Sequence, residues 1–290
     1  MKPFNIRTTV FDFNYFIFFH GWYDLAPFKL YENEKAIGRY LRNSKGKNTY
    51  VKISVSKGEK YSTLKVTSPE QKKSDDKDII VLRNQIKRML DLEKDYSDFH
   101  RLCRNVSALK FVYRNNCRGM LRSPNAFEDI VKTVCTTNCS WSNTKHMCIS
   151  LCNLDGGNFP SPKNILKYSP DELSRLVPLG YRAKTVHQIS QLVVEGELDL
   201  DKWAKNGDFE RIKRALNEIK GVGEYSVNHM LALLGDYSNI PVDSEVLKYL
   251  RKVYFKGKEI SPEESVRPFE DFGQYKFLVY KYQRMAEALS

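Results

Sequence analysis

Nowhere in the 290 residues is there an apolar run long enough to cross a bilayer, which takes about 20 such residues in a helix. The best candidate, around Phe16 to Phe19, is short and has Asp12, Asn14 and His20 beside it. No internal repeat and no low-complexity tract stands out, so stacked-repeat and compositionally disordered architectures are set aside. Cysteine is scarce and confined: Cys103, Cys117, Cys135, Cys139, Cys148 and Cys152 share one window, with none before or after it. No secretory leader precedes them, so reduced thiols in a soluble intracellular protein are expected rather than a disulfide scaffold. Acidic side chains are in deficit, 35 against 47 Lys+Arg, for a net charge of +12. That excess suits a polyanion binder, although solvated lysines alone produce the same figure.

What is present divides the chain in two. From Ile6 to Thr67 the pattern is strand-like: "TYVKISVS" alternates Val51, Ile53 and Val55 with polar neighbours, and "YSTLKVT" resumes the period after a "KGEK" turn. The charged, apolar-free stretch "SPEQKKSDDKD", 68 to 78, reads as a solvated loop. Beyond it Ile79, Leu82, Ile86, Met89 and Leu90 recur at helical spacing, and helices broken by Pro, Gly or Asn continue to Ser290. The expectation is an α+β protein, with a small antiparallel β domain over 1–78 followed by a mostly helical body over 79–290.

Within that body "DFERIKRALNEI" places Ile212, Leu216 and Ile219 on one helical face, and "EYSVNHMLALLG" is helical again. Between them stands Lys220-Gly221-Val222-Gly223. Two glycines supply backbone freedom there and let another backbone come close. The free amides at the start of the second helix favour an anion, so the corner can grip a phosphate, with Lys213, Arg214 and Lys220 adding long-range attraction. A plain glycine-capped corner between two helices has the same pattern. Some 20 residues on, Asp243 in "NIPVDSEVLKYLRK" opens a further helix, where Asp is also a common N-cap.

The run "EIKGVGEYSVNHMLALLGDYSNIPVDSEV" resembles the signature of the helix-hairpin-helix DNA glycosylase superfamily: hairpin, Gly/Pro-containing loop, then an aspartate. "VKTVCTTNCSWSNTKHMCISLC", "PLGYRAKTV" and "FGQYKFLVYKY" are similar, in order and spacing, to the 3-methyladenine DNA glycosylase II and 8-oxoguanine DNA glycosylase branches. The resemblance covers roughly residues 80 to 290, with the helix-hairpin-helix at about 208–235 and a catalytic loop at 236–245. It implies a DNA-associated enzyme, in a prokaryotic cytoplasm or a nucleus, working as a monomer on double-stranded DNA.

Base excision breaks a C1′–N bond while positive charge builds on the sugar, so a carboxylate in a water-poor pocket is required; the resemblance assigns that role to Asp243. The bifunctional, strand-cleaving branches place a lysine two residues after the second hairpin glycine as an amine nucleophile, and here that residue is Tyr225. A monofunctional glycosylase using water is therefore expected, without lysine-dependent strand cleavage. The preferred lesion is an alkylated purine, whose cationic base leaves readily. Tyr225 and His229, one turn apart, would line the base pocket, unless both are core. Asn138 matches the asparagine that fills the vacated space in the 8-oxoguanine branch, or it caps a helix. Asn143 stands where that branch has an arginine reading the opposite cytosine. Trp141 is a candidate stacking surface or a core residue, and Trp22 or Tyr23 in "HGWYDLAPF" a pocket wall.

Cys135/Cys139 and Cys148/Cys152, taken on one continuous helix, fall on opposite faces and make a poor tetrahedral site. With no cysteine after Cys152, neither an iron–sulfur cluster nor a catalytic metal is expected. A monovalent cation bridging hairpin carbonyls and a phosphate stays open as the one ionic cofactor. Two other readings remain: an 8-oxoguanine or uracil-type glycosylase on the same fold, and a non-catalytic DNA- or damage-binding module.

Overall fold

The computed structural model describes residues 1–69 and 75–289; the loop expected at 68–78 lies partly outside these. In chain order the first elements are β1 (Phe4–Thr8), α1 (Phe13–Phe18), β2 (Lys29–Tyr31), β3 (Ala36–Arg42), β4 (Asn48–Lys57) and β5 (Ser62–Thr67). The strands form one antiparallel sheet in the order β1-β5-β4-β3-β2. Period-two patterning puts Val51, Ile53, Leu64 and Val66 on its covered face. The helix α1 interrupts the region expected to be strand throughout. Asp12 caps it, accepting from the N–H groups of Asn14 at 3.0 Å and Tyr15 at 3.2 Å, and Phe13, Phe16 and Ile17 are buried. Those three are helically spaced, a period hidden in an almost unbroken aromatic run.

The body comprises α2 (Asp76–Met89), α3 (Ser97–Asn105), α4 (Lys110–Arg114), α5 (Ala126–Thr136), α6 (Trp141–Asn153), α7 (Pro162–Ile165) and α8 (Pro170–Leu176). It continues with α9 (Arg182–Glu195), α10 (Leu200–Lys205), α11 (Phe209–Asn217), α12 (Glu224–Leu234), α13 (Ser244–Tyr254), α14 (Pro262–Ser265) and α15 (Lys276–Leu289). The helix α2 begins inside the expected loop, because Asp75 caps it by accepting from the Asp78 N–H at 2.8 Å.

Sheet and helices share one apolar cluster, from Ile6 and Ile53 through Ile130 and Met230 to Tyr282. A buried ionic group pins the sheet to α5. Arg39 of β3 donates twice to Glu128, at 2.9 and 2.7 Å, and Lys132 Nζ lies 2.7 Å from the same carboxylate. Burial alone would raise the Glu128 pKa, but Arg39 and Lys132 outweigh it and hold the carboxyl down at about 2. Hence α5, which backs the region between the sheet and the hairpin, has a fixed register.

Candidate functional site

The turn between α11 and α12 is set by two glycines for two different reasons. Gly221 has φ +93°, a left-handed backbone, and a Cβ on it would collide with the Thr185 hydroxyl of α9. That hydroxyl donates to the Lys220 carbonyl at 2.9 Å, so α9 holds the corner from behind. Val222 is buried, and its N–H donates to the Ile219 carbonyl at 3.0 Å. Gly223 differs from the expectation: its φ of −95° is open to any residue, and a Cβ there would meet nothing. What its missing side chain provides is space in front of the α12 N-terminus. No side chain caps that terminus, so the first amides of α12 face outward. Lys220 is exposed beside it.

Asp243 is the N-cap of α13. One carboxylate oxygen accepts from the Val246 N–H at 2.7 Å, and the side chain remains exposed. The preceding loop is anchored from below. Lys94 donates to the Gly235 carbonyl, and the buried Tyr237 hydroxyl lies 3.0 Å from that of Tyr96 and 3.4 Å from both Asp91 and Arg122. The Phe277 N–H of α15 donates to the Tyr237 carbonyl at 3.0 Å. A fixed loop feeding an N-cap aims the free carboxylate oxygen in one direction.

That direction is a cleft of about 760 Å³ lined by Asn138, Tyr181, Gly221, Val222, Gly223, Tyr225 and Asp243, among others. Asn138 sits in the break between α5 and α6 with φ +48° and is exposed; it caps no helix, since Ser140 performs that task for α6. Asn143 is exposed on the first turn of α6. Thus the hairpin, Asp243, Asn138 and Tyr225, more than 100 residues apart at the extremes, meet in one concavity.

Four other candidates do not line that cleft. Trp141 is 41% exposed, donates its indole N–H to Asp24 at 2.8 Å and lies across Gly21. Trp22 is buried, donating to Asp129 at 2.8 Å, and Tyr23 packs edge-on against Phe18. His229 is buried behind Tyr225, their rings 5.6 Å apart, and 5.3 Å from the Trp22 ring. Tyr225 therefore joins the cleft to an inner aromatic cluster.

Two members of that inner cluster escaped the sequence analysis. His20 Nε2 lies 2.8 Å from His229 Nε2, and its ring is 4.1 Å from that of Trp22. Both imidazoles are held neutral: burial, then His229 and Lys281, push His20 far down, and burial and Lys281 take His229 to about 3. Lys281 of α15 is the second. Burial, reinforced by Arg284 and opposed by Asp243, lowers its ammonium to about 8. Burial and the Asp243 charge push the Tyr225 phenol up to about 12, so it stays protonated at neutral pH. No local motif pairs His20 with a residue 209 positions away; only its place two residues before Trp22 hinted at it.

Contrary to expectation, the four cysteines from Cys135 to Cys152 do not lie on one continuous helix. Residues 137–140 break the helix, so Cys135 and Cys148 come into contact across α5 and α6 instead of lying on one continuous helix. Even so, among the described residues no group of three or more His, Cys, Asp or Glu could hold a metal ion. The hairpin carbonyls of Ile219 and Lys220 already accept one hydrogen bond each, keeping a second lone pair. Among the described residues no helix is long and apolar enough to cross a membrane.

A family model described as HhH-GPD superfamily base excision DNA repair protein matches residues 131–274, which contain the hairpin, Asn138 and Asp243. The chain belongs to this superfamily. Within it, an N-glycosylase/DNA lyase of Saccharomyces cerevisiae is 23% identical over 150 residues, which is 44% of this chain and 40% of the yeast protein. The match thus spans less than half the length of that relative. A 3-methyladenine DNA glycosylase from Archaeoglobus fulgidus has the same fold over 100% of both chains, with a TM-score of 0.74 at 18% identity. A Clostridium acetobutylicum 8-oxoguanine glycosylase/lyase, solved with double-stranded DNA, matches with a TM-score of 0.62 at 18% identity, over 87% of this chain and 89% of that one. Glycosylases named for two different lesions are therefore both similar to this chain in fold.

Proposed function

We propose that this protein is a monofunctional DNA glycosylase that flips a damaged purine, an alkylated one, out of duplex DNA and hydrolyses its N-glycosidic bond. The observation that carries the reading is the single cleft in which an uncapped helix N-terminus, the Asp243 carboxylate and Tyr225 meet. Each has a task there. The α12 amides and the space in front of Gly223 receive a strand phosphate, with Lys220 adding charge, and Asn138 enters the gap left by the extruded nucleotide. With one oxygen tied to the Val246 N–H, Asp243 presents the other to the sugar. It stabilises the cationic sugar as the base departs and orients the water that adds to C1′. Because Asp243 is exposed in the free protein, the bound DNA itself must expel water from around it. Tyr225 and, behind it, His229 and Trp22 form the aromatic wall against which the base stacks, while Trp141 and Tyr23 flank its approach.

Support for a water mechanism comes from Tyr225, which occupies the position of the amine nucleophile and whose phenol, raised to about 12, is no nucleophile at neutral pH. The test uses duplexes bearing single lesions, assayed with and without hot alkali. Breaks that require alkali are expected, and they should vanish in Asp243→Asn. Breaks without alkali overturn the monofunctional reading, and undiminished release by Asp243→Asn overturns the role of that carboxylate.

A further inference from the structure

A second concavity, of about 570 Å³, opens where the β1–α1 connection, the β4–β5 turn, the α2–α3 connection and the segment after α4 meet. Its lining includes Thr9, Val10, Leu92, Lys94, Asn116 and Arg118, and it shares no residue with the cleft that holds Asp243. Arg118 is 4% exposed, and of its nitrogens only Nη2 is engaged, donating to the Thr9 hydroxyl at 2.6 Å and to the Thr9 carbonyl at 3.5 Å. Nε and Nη1, which carry three N–H groups, have no hydrogen-bond partner among the described residues. The guanidinium carbon stands 4.4 Å from the centre of the Phe11 ring, so one face is covered and the edge is left to bind. Arg122, Arg182 and Arg251 each leave a single nitrogen unpartnered, whereas Arg118 leaves two, in a side chain that lines a cavity.

A buried charge without a counter-charge is costly, and buried donors in folded proteins ordinarily meet an acceptor. The nearby carboxylates are otherwise occupied or stand outside. Asp91 pairs with Arg122 at 3.1 Å. Glu93 meets Lys87 at 3.0 Å, and one oxygen of Asp95 accepts from the Ser97 N–H at 2.9 Å and its hydroxyl at 2.7 Å. Glu59, like Glu93 and Asp95, is exposed at the rim.

We propose that this concavity binds a small phosphate monoester, with the phosphate on the free edge of Arg118 and the organic part against Val10 and Leu92. The proposal goes beyond the excision reading and does not depend on it. Donors arrive from separate segments: the three N–H groups of Arg118, the Asn116 amide, and the ammonium of Lys94, which gives one of its three hydrogens to the Gly235 carbonyl. The Thr9 hydroxyl accepts from Arg118, which leaves its own hydrogen to donate. A planar carboxylate accepts in one plane, while the three oxygens of a phosphate monoester accept from several directions. The acidic rim decides against a polyanion, because successive phosphates of a strand would face Glu59, Glu93 and Asp95 while a single phosphate passes them to the floor. A cavity of this volume is in the range of small-ligand sites and leaves room for a group larger than inorganic phosphate.

The test is calorimetric titration of the full chain with 2′-deoxyadenosine 5′-monophosphate, deoxyadenosine and inorganic phosphate at matched ionic strength. The monophosphate should bind at least about tenfold more tightly than deoxyadenosine, and Arg118→Met should weaken it about ten- to a hundredfold, the loss expected of charge-assisted hydrogen bonds. Affinity of Arg118→Met for an abasic-analogue duplex should stay within about twofold of wild type, since the two sites share no residue. Saturation with that duplex should not displace the monophosphate. Equal affinity for monophosphate and deoxyadenosine, unchanged binding by Arg118→Met, or displacement by the duplex overturns the proposal, the last by putting the ligand on the DNA face. Inorganic phosphate bound as tightly as the monophosphate overturns the monoester and leaves a simple anion site. Should Arg118→Met not fold, two charge reversals at exposed positions decide. Lys60→Glu, at the rim, should weaken the monophosphate about fivefold, and Lys205→Glu, on α10 outside the concavity, should leave it unchanged. Equal losses in both overturn the proposal. Failure to release a base from any lesion would sink the excision reading alone, without changing these titrations.

Discussion

Gly221 and Gly223 stand two residues apart in the same turn, and replacing each by alanine should have opposite consequences. At Gly221 the backbone has φ +93°, and a left-handed conformation costs a side-chain-bearing residue about 1–2 kcal/mol. The new Cβ would also displace the Thr185 hydroxyl, breaking its 2.9 Å hydrogen bond to the Lys220 carbonyl, for about 1 kcal/mol more. Gly221→Ala should therefore lose roughly 2–3 kcal/mol of stability, a fall in Tm of about 5–8 °C in a chain of this size. Gly223→Ala adds a methyl group where nothing lies nearby and φ is −95°, so its stability should stay within about 1 kcal/mol of wild type. Its methyl group, however, occupies the space through which, on the proposed reading, a phosphate reaches the α12 amides. Loss of a charge-assisted contact of about 1.5–3 kcal/mol weakens binding roughly ten- to a hundredfold. Urea unfolding and fluorescence anisotropy with an abasic-analogue duplex at fixed salt measure the two effects separately. Normal DNA affinity in Gly223→Ala would refute the hairpin as the phosphate grip. Equal stability losses in the two variants would refute the division of labour between the glycines.

Three further outcomes follow from buried groups. Glu128, held at about 2 in the fold against an ordinary 4.5, adds stability that is present above pH 4.5 and is lost as pH falls toward 2. Glu128→Gln should cost about 3–5 kcal/mol at pH 7, because Arg39 and Lys132 are left buried without their counter-charge, and should flatten acid unfolding in that window. His20 and His229 give a separate window. Both are pushed below the ordinary 6.5, so the unfolded chain binds their protons first and stability falls as pH drops from about 6.5 toward 3. Urea midpoints between pH 7 and 5 should show that slope in the wild type and lose it in His20→Gln/His229→Gln. Tyr237→Phe removes a hydroxyl shared among Tyr96, Asp91 and Arg122 beneath the Asp243 loop. It should cost about 1–3 kcal/mol in thermal unfolding and slow excision with the Asp243 side chain untouched.

How much of this was readable beforehand depends on how local each signal is. The hairpin and Asp243 were legible because glycine spacing and an N-cap are properties of a few consecutive residues. The sheet was legible because Val51, Ile53 and Val55 alternate over a whole strand. α1 was not, since helical and continuous-strand patterns coincide when nearly every residue is aromatic; the discriminating mark was Asp12, a cap ahead of the run. Residues 137–140 misled the cysteine geometry because a break of four residues changes which faces meet, and Ser140 as the cap of α6 was its only local sign. His20 and Lys281 lay further out of reach. Each is a polar residue in an apolar neighbourhood, unremarkable in sequence: His20 finds its partner on α12, and Lys281 lies against the ring of Phe19. On the proposed reading the motif residues hold the backbone and the sugar, tasks common to any base removed by this route. His20, from the N-terminal segment, meets His229 of α12 behind Tyr225 only in the closed fold. Specificity in such a protein is therefore expected to reside where a motif search is blind, and substitution of His20 should change which base is released more than whether the DNA is bound.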